Sequence, residues 1–138
     1  MNRGVTLIEM LIVVAIVSIV AGVSFPSVAS GLDNVRLRSA ADSIAGFLNG
    51  AMSRVERKEL AIEIVIVPQE RALVLYSSEP GFTRRLELPD GIKISGSESR
   101  QFLLLPGGTP PAMNIDIYNQ RGTHKLIHID PVTGVPQS

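Results

Sequence analysis

The chain has 138 residues, enough for one domain of ordinary size and too few for two. Hydrophobic residues make up 45% and charged residues 19%, which excludes a disordered chain. The 13 basic and 13 acidic side chains balance, so no bulk field draws the chain to nucleic acid or anionic lipid. The absence of cysteine excludes disulfides, zinc–thiolate sites and a thiol nucleophile.

The beginning of the chain is almost free of charge, since Arg3 and Glu9 are the only charged residues before Asp33. Residues 5–25 form an apolar run, which as a helix would span roughly 31 Å, close to the hydrocarbon thickness of a bilayer. The run lacks the polar stripe of a core helix and is longer than the apolar region of an ordinary secretory signal. It predicts a transmembrane helix, of which a plain single-span anchor is the simplest form, with a secretory signal cleaved near Ser30 as the alternative.

Glu9 interrupts this apolar run. A carboxylate inside a membrane span costs about 2.5–3.5 kcal/mol, so it needs a partner or access to water. An acid this close to the start of the run can reach the membrane surface. A cut after Gly4 would instead place a new α-amino group on Val5, one helical turn from Glu9, and the same amine on a neighbouring helix could pair with it. In that case Glu9 sets the register between subunits.

These residues carry a resemblance to a known family. The string Arg3-Gly4-Val5-Thr6-Leu7-Ile8-Glu9, followed by the apolar run, resembles the prepilin signature of type IV pilins and type II secretion pseudopilins. In that family, prepilin peptidase cuts after the glycine and methylates the new N-terminus. The resemblance implies that Gly4 precedes the cut, that Val5 becomes the methylated N-terminus and that Glu9 guides assembly. Val5 departs from the pattern, because phenylalanine or methionine is commoner there.

The resemblance also gives the first domain boundaries: a leader peptide at residues 1–4 and a transmembrane or filament-core helix at 5–25. An amphipathic helix at 26–58 is expected to continue into the globular domain. Its apolar residues recur at helical spacing on one face, namely Leu37, Ala41, Ile44, Leu48, Ala51 and Val55. Pro26 lies where many family members have a kinking proline, and its missing amide hydrogen predicts a bend. We expect the helix to end near Lys58, and we expect Gly46 and Gly50 to contact the sheet closely.

Residues 59–138 are predicted to form an antiparallel β domain. The apolar period changes to two, and turns rich in proline, glycine, aspartate and asparagine separate short β-rich runs. The expected strands are 61–67, 72–76, 83–88, 92–95, 101–105, 114–118 and 123–129. They predict a meander whose inner face is covered by the helix stripe. The fold class is therefore α+β: a long bent N-terminal helix, membrane-spanning in its first half, packed on an antiparallel β-sheet domain as in pilins.

The C-terminal part of the chain, residues 101–135, carries a looser resemblance. Its strands, its Pro106-Gly107-Gly108 loop, its Arg121-Gly122 turn and its final glycine are similar to the ending of H-type (GspH-like) minor pseudopilins and the related FimT/FimU-type minor pilins. This resemblance implies a structural subunit of the periplasmic pseudopilus of a type II secretion system. The alternative that it implies is a minor pilin of a type IV pilus, which primes assembly or binds a ligand such as DNA at the tip.

The partners follow from the same resemblance. They are prepilin peptidase, other pseudopilins or pilins, the inner-membrane assembly platform, and inner-membrane lipid before assembly.

Arg3 precedes the apolar run, which favours a cytoplasmic N-terminus and a periplasmic globular domain. We expect no cofactor, no metal, no small-molecule substrate and no enzymatic activity.

The candidate residues for catalysis or metal binding are few. His124 and His128 are four positions apart, which in a strand separates them by roughly 13 Å, too far to share one metal ion. Asp116 and Asp130 could meet across neighbouring strands, although exposed carboxylates on a sheet more often face solvent. The Gly107-Gly108 loop lacks the lysine and helix of a phosphate-binding loop.

Four cations are the candidates for a nucleic-acid surface: Arg84, Arg85, Arg121 and Lys125. No aromatic residues interleave them, and stacking on aromatic rings is how proteins hold single-stranded bases. We therefore interpret them as ordinary charged strand faces and expect no binding of nucleic acid.

Overall fold

The computed structural model describes residues 6–130 and 135–137, and for residues 24–30 it describes the backbone alone. The chain divides into two compact units, Met1–Asp33 and Asn34–Ser138. The predicted leader at 1–4 and the predicted new N-terminus Val5 lie outside the described residues.

One α-helix, α1, extends over Leu7–Lys58. It ends at the predicted residue, and its last turn carries Arg57 and Lys58, where the unpaired carbonyls favour cations. The predicted stripe is confirmed: Leu37, Ala41, Ile44, Leu48, Ala51 and Val55 are each at most 4% exposed. Pro26 lies within α1, and the bend predicted there, which concerns the arrangement of the two units, stays a prediction.

Eight strands follow in the described part of the chain. They are β1 (Ile62–Val67), β2 (Ala72–Ser77), β3 (Thr83–Glu87), β4 (Ile92–Ile94), β5 (Arg100–Leu104), β6 (Met113–Asn119), β7 (His124–Ile129) and β8 (Pro136–Gln137). A single 3₁₀ turn, Pro68–Glu70, joins β1 to β2. Seven of these strands were predicted within a few residues, whereas the two-residue β8 was not.

The predicted single meander is wrong. The strands form two antiparallel sheets, with the orders β3-β2-β1-β5 and β4-β6-β7-β8. After β4 the chain passes through Gly96 to the other sheet. The φ of Gly96 is +106°, a backbone conformation that only glycine adopts without steric strain. There β5 pairs with β1, so that Phe102 lies opposite Ile64. Local alternation identifies strands, but it does not identify their partners.

The core lies between the C-terminal part of α1 and the inner faces of both sheets. Alternate residues of β1 are buried, and β6 and the end of β7 follow the same alternation. Ile64, Ile115 and Ile127 are fully buried and belong to the same cluster as the helix stripe. The α+β class is thus confirmed, since one helix face covers the sheets of unit Asn34–Ser138.

Two polar contacts fix the loops of this unit. The Arg54 guanidinium lies 3.7 Å above the Phe82 ring, and its Nη2 donates to Glu79 Oε2 at 2.5 Å, which ties the β2–β3 loop to α1. At the β6–β7 turn, Asn119 is 3% exposed and its Oδ1 accepts the backbone N–H groups of Arg121 and Thr123 at 3.0 and 2.9 Å. The turn is therefore held by a buried side chain.

The expected close contact of Gly46 and Gly50 with a sheet is wrong. A Cβ added to either glycine would meet no atom within 4 Å, and both residues are exposed. Neither glycine is therefore required by packing within this unit, so each leaves the helix weaker than alanine would.

Replacing Gly50 by alanine is expected to raise the free energy of unfolding by about 0.5–1 kcal/mol, because alanine loses less backbone entropy in a helix. Urea unfolding followed by circular dichroism measures the change. Gly107 is the matched control, since its added Cβ also meets nothing but its φ is +66°. Gly107→Ala should cost about 1–2 kcal/mol. A Gly50→Ala variant less stable than the parent would show that Gly50 has a partner.

Candidate functional site

The candidate site is the start of α1, which holds the predicted assembly residue Glu9. Thr6 precedes the helix, and its carbonyl accepts the backbone N–H groups of Glu9 and Met10 at 3.0 and 3.3 Å. The Thr6 hydroxyl lies 3.4 Å from the same Glu9 nitrogen, which donates to it. Thr6 therefore caps the helix, and Thr6-Leu7-Ile8-Glu9 is a capping-box sequence.

Glu9 occupies the first turn of α1 and is exposed. Unpaired N–H groups at a helix N-terminus favour a carboxylate, so the position stabilises the helix as well as presenting an acid outward. The motif predicted a role for Glu9, whereas the capping role of Thr6 was not predicted. The signal was available, because a threonine three residues before a glutamate at the start of an apolar run predicts a cap.

Apart from Glu9, the first part of α1 presents a mostly apolar surface on all sides. Every residue from 6 to 23 is exposed, including Leu7 at 81%, Ile8 at 68% and Val23 at 73%. The Ser18 hydroxyl donates to the Val14 carbonyl at 2.7 Å, so it needs no partner outside the helix. A surface of this composition requires an apolar environment or a protein partner.

Within the described residues, we find no helix that combines the length and the hydropathy needed to cross a membrane. The predicted span at residues 5–25 stays a prediction. The processing residues Gly4 and Val5 lie outside the described residues, and their roles stay predictions.

The two histidines do not form a shared site. They lie on β7, and each faces a different residue of β6: Tyr118 opposite His124, and Asn114 opposite His128. His124 Nδ1 donates to Asp116 Oδ2 at 2.9 Å, and His128 Nδ1 donates to Asn114 Oδ1 at 2.6 Å. Within the described part of the chain, no three histidine, aspartate or glutamate residues are grouped as a metal site.

Asp116 and Asp130 do not meet across neighbouring strands, so the alternative of a carboxylate pair is excluded. Asp116 lies opposite Leu126, whereas Asp130 follows the end of β7, four residues further along the chain. At about 3.3 Å per residue, the two carboxylates are roughly 13 Å apart along the sheet. They therefore cannot act together as acid and base.

The four candidate cations are divided between the sheets. Arg84 and Arg85 lie on β3, whereas Lys125 lies on β7 and Arg121 in the turn before it. Arg85 pairs with Glu70 and Glu87 at 2.8 Å each. The hydrogen bonds that the Arg85 guanidinium donates, first to Glu70 and then to Glu87, raise the pKa of Arg85 above its ordinary value. Its charge is thus already matched by two acids, as the interpretation of charged strand faces predicts.

Comparison with known proteins identifies the N-terminal segment. Residues 1–25 match the family model of the prokaryotic N-terminal methylation motif. No curated protein and no solved structure matches the chain. The motif indicates a type IV pilin-like substrate of prepilin peptidase, anchored in a membrane before it assembles into a pilin-type filament.

Proposed function

We propose that the chain is a minor pseudopilin of the H type, a structural subunit of the periplasmic pseudopilus of a type II secretion system. The methylation motif over residues 1–25, which contains Gly4, Val5 and Glu9, supports processing and entry into a pilin-type filament. The choice of an H-type pseudopilin depends on the looser resemblance of residues 101–135. Prepilin peptidase cuts after Gly4 and methylates Val5. The role of the subunit is mechanical, with no enzymatic step of its own.

The exposed surface of α1 supports this proposal. The exposed apolar side chains within residues 6–23 must be shielded from water. Inner-membrane lipid shields them before assembly, and neighbouring helices shield them afterwards. Exchange of lipid for like helices changes the hydrophobic energy little, so packing and polar pairs decide which subunits associate. The Glu9 carboxylate, paired with the methylated amine of a neighbour, sets their register. The globular unit, Asn34–Ser138, with its own core, then faces the periplasm and the inner-membrane assembly platform.

The test of processing is the intact mass of the chain extracted from membranes, with and without prepilin peptidase. We expect loss of residues 1–4 and gain of one methyl group on Val5 when the peptidase is present. Gly4→Leu should leave the whole chain uncut, because a bulky side chain replaces the glycine next to the cut. Gly22→Ala is the matched control, since a Cβ added to Gly22 would meet no atom within 4 Å and Gly22 lies far from the cut. It should be processed normally.

Two outcomes would contradict the proposal. If the chain keeps residues 1–4 in the presence of an active peptidase, the chain is a simple membrane anchor. A cut near Ser30 makes the segment a secretory signal.

The methylation motif does not separate a pseudopilin from a type IV minor pilin. Deletion of the gene separates them. If the chain is a pseudopilin, its deletion stops release of the secreted protein and leaves pili intact. If deletion abolishes pili and secretion stays normal, the chain belongs to the type IV pilus.

A further inference from the structure

A small groove lies where the 3₁₀ turn after β1 meets β4 and β6. It has a volume of about 270 Å³, and its lining includes Gln69, Arg71, Lys93, Ile94 and Tyr118. We propose that this groove, termed the Arg71 groove, binds the carboxylate side chain of an acidic segment of a partner protein. The proposal goes beyond the filament role and does not depend on which filament the chain enters.

Arg71 holds an unusual backbone position. Its φ of 51° and ψ of 41° are left-handed, a conformation that favours glycine, and its N–H closes the 3₁₀ turn on the Pro68 carbonyl at 3.1 Å. Glycine would make the same turn with less strain. The arginine therefore offers nothing to the turn that glycine lacks, and its side chain lines the groove.

The Arg71 guanidinium already holds one carboxylate. Its Nη1 donates to Asp90 Oδ1 at 2.9 Å, but the Asp90 side chain is 99% exposed. An ion pair this open to water is weak and exchanges readily. Arginine has five N–H donors, so a second carboxylate can join Asp90 or replace it. The ion pair with Asp90, which does not itself line the groove, thus shows only that the Arg71 guanidinium can bind a carboxylate.

The other walls of the groove are held in place. Lys93 lies opposite Tyr118 in the register of β4 and β6 and is exposed. The Tyr118 ring stacks on His124 with centroids 5.2 Å apart, which fixes its orientation. The Gln69 amide donates to the Ser97 carbonyl, which ties the 3₁₀ turn to the loop after β4. Two cations and an aromatic ring therefore surround a preformed space.

The size of the groove selects the class of ligand. Pockets for small molecules and cofactors usually have about 300–1,000 Å³, and this one falls below that range. One side chain of a longer segment fits better than a whole small molecule. The described residues that line the groove include two cations, Arg71 and Lys93, and no acid, which favours an acidic segment over a basic one.

The test measures binding of fluorescein-labelled hexaglutamate to the full chain in non-ionic detergent, at low salt, by fluorescence anisotropy. We expect Arg71→Gly and Lys93→Gln each to weaken binding by about tenfold, because a charged hydrogen bond is lost. Arg71→Gly should keep the fold, since glycine suits the left-handed position; circular dichroism checks this. Arg84→Gln is the control, because it removes an exposed cation on β3 that does not line the groove. It should change binding by less than about twofold.

Three results would overturn the proposal. Hexaglutamate that fails to bind excludes a carboxylate site. Equal weakening by Arg84→Gln shows attraction by overall charge and not by the groove. Oligothymidylate that binds more tightly than hexaglutamate, with the same loss in Arg71→Gly, assigns the groove to phosphate. Should Arg71→Gly misfold, Lys93→Gln decides the matter alone, since the exposed Lys93 side chain can shorten without disturbing the core.

Discussion

Replacing Glu9 by leucine is expected to remove the chain from the filament while leaving its processing and membrane insertion intact. The proposed partner of the Glu9 carboxylate is the methylated amine of a neighbouring subunit, in surroundings without water. Removing one member of a buried ion pair costs about 3–5 kcal/mol, since the other charge is left unpaired. Each 1.4 kcal/mol is about a factor of ten, so incorporation should fall by about a hundredfold or more.

The measurement is the amount of Glu9→Leu chain that crosslinks to other filament subunits in the periplasm, relative to the amount in the membrane. The structure supplies a control, because Glu9 also lies in the first turn of α1 beside the capping residue Thr6. Thr6→Val keeps the carboxylate and removes the capping hydroxyl, at a cost of about 0.5–2 kcal/mol to the helix end. If helix capping explained the loss, Thr6→Val would fail as badly as Glu9→Leu. Normal incorporation of Glu9→Leu would exclude the ion pair.

The second large effect concerns the core. Ile64 is fully buried on β1, between Leu75 of β2 and Phe102 of β5 in the strand register. Ile64→Ala is expected to lower the free energy of unfolding by about 2–5 kcal/mol, because methyl groups leave the core and a cavity replaces them. Urea unfolding of the full chain in detergent, followed by circular dichroism, measures this loss.

Leu103→Ala is the matched control for Ile64→Ala. Leu103 lies on the neighbouring strand β5 but is 56% exposed. Its truncation should change the free energy of unfolding by less than about 0.5 kcal/mol. Equal losses in the two variants would mean that the outer face of this sheet is covered and that the assigned core is wrong.

The candidate site was predictable to the extent that its signals are local. The assignment of Gly4, Val5 and Glu9 depends on a short motif; residues 1–25 match the methylation-motif model, and the roles of the three residues stay predictions. Thr6 was equally local and was overlooked. The Arg71 groove was not predictable, because Arg71 and Lys93 lie on separate segments that only the folded chain brings together.

The sequence by itself determined the helix stripe from Leu37 to Val55, the end of α1 at Lys58 and the positions of seven strands. These features depend on the period of apolar residues and on turn residues, which act over a few positions. Tertiary structure alone decided that β5 pairs with β1 and not with β4, the strand before it in the chain. It also decided that the strands form two sheets and not one. Apolar alternation marks which face of β5 is buried, but any strand with a matching face can pair with it. The partner is chosen by the packing of both sheets against the same face of α1, which is a property of the whole core.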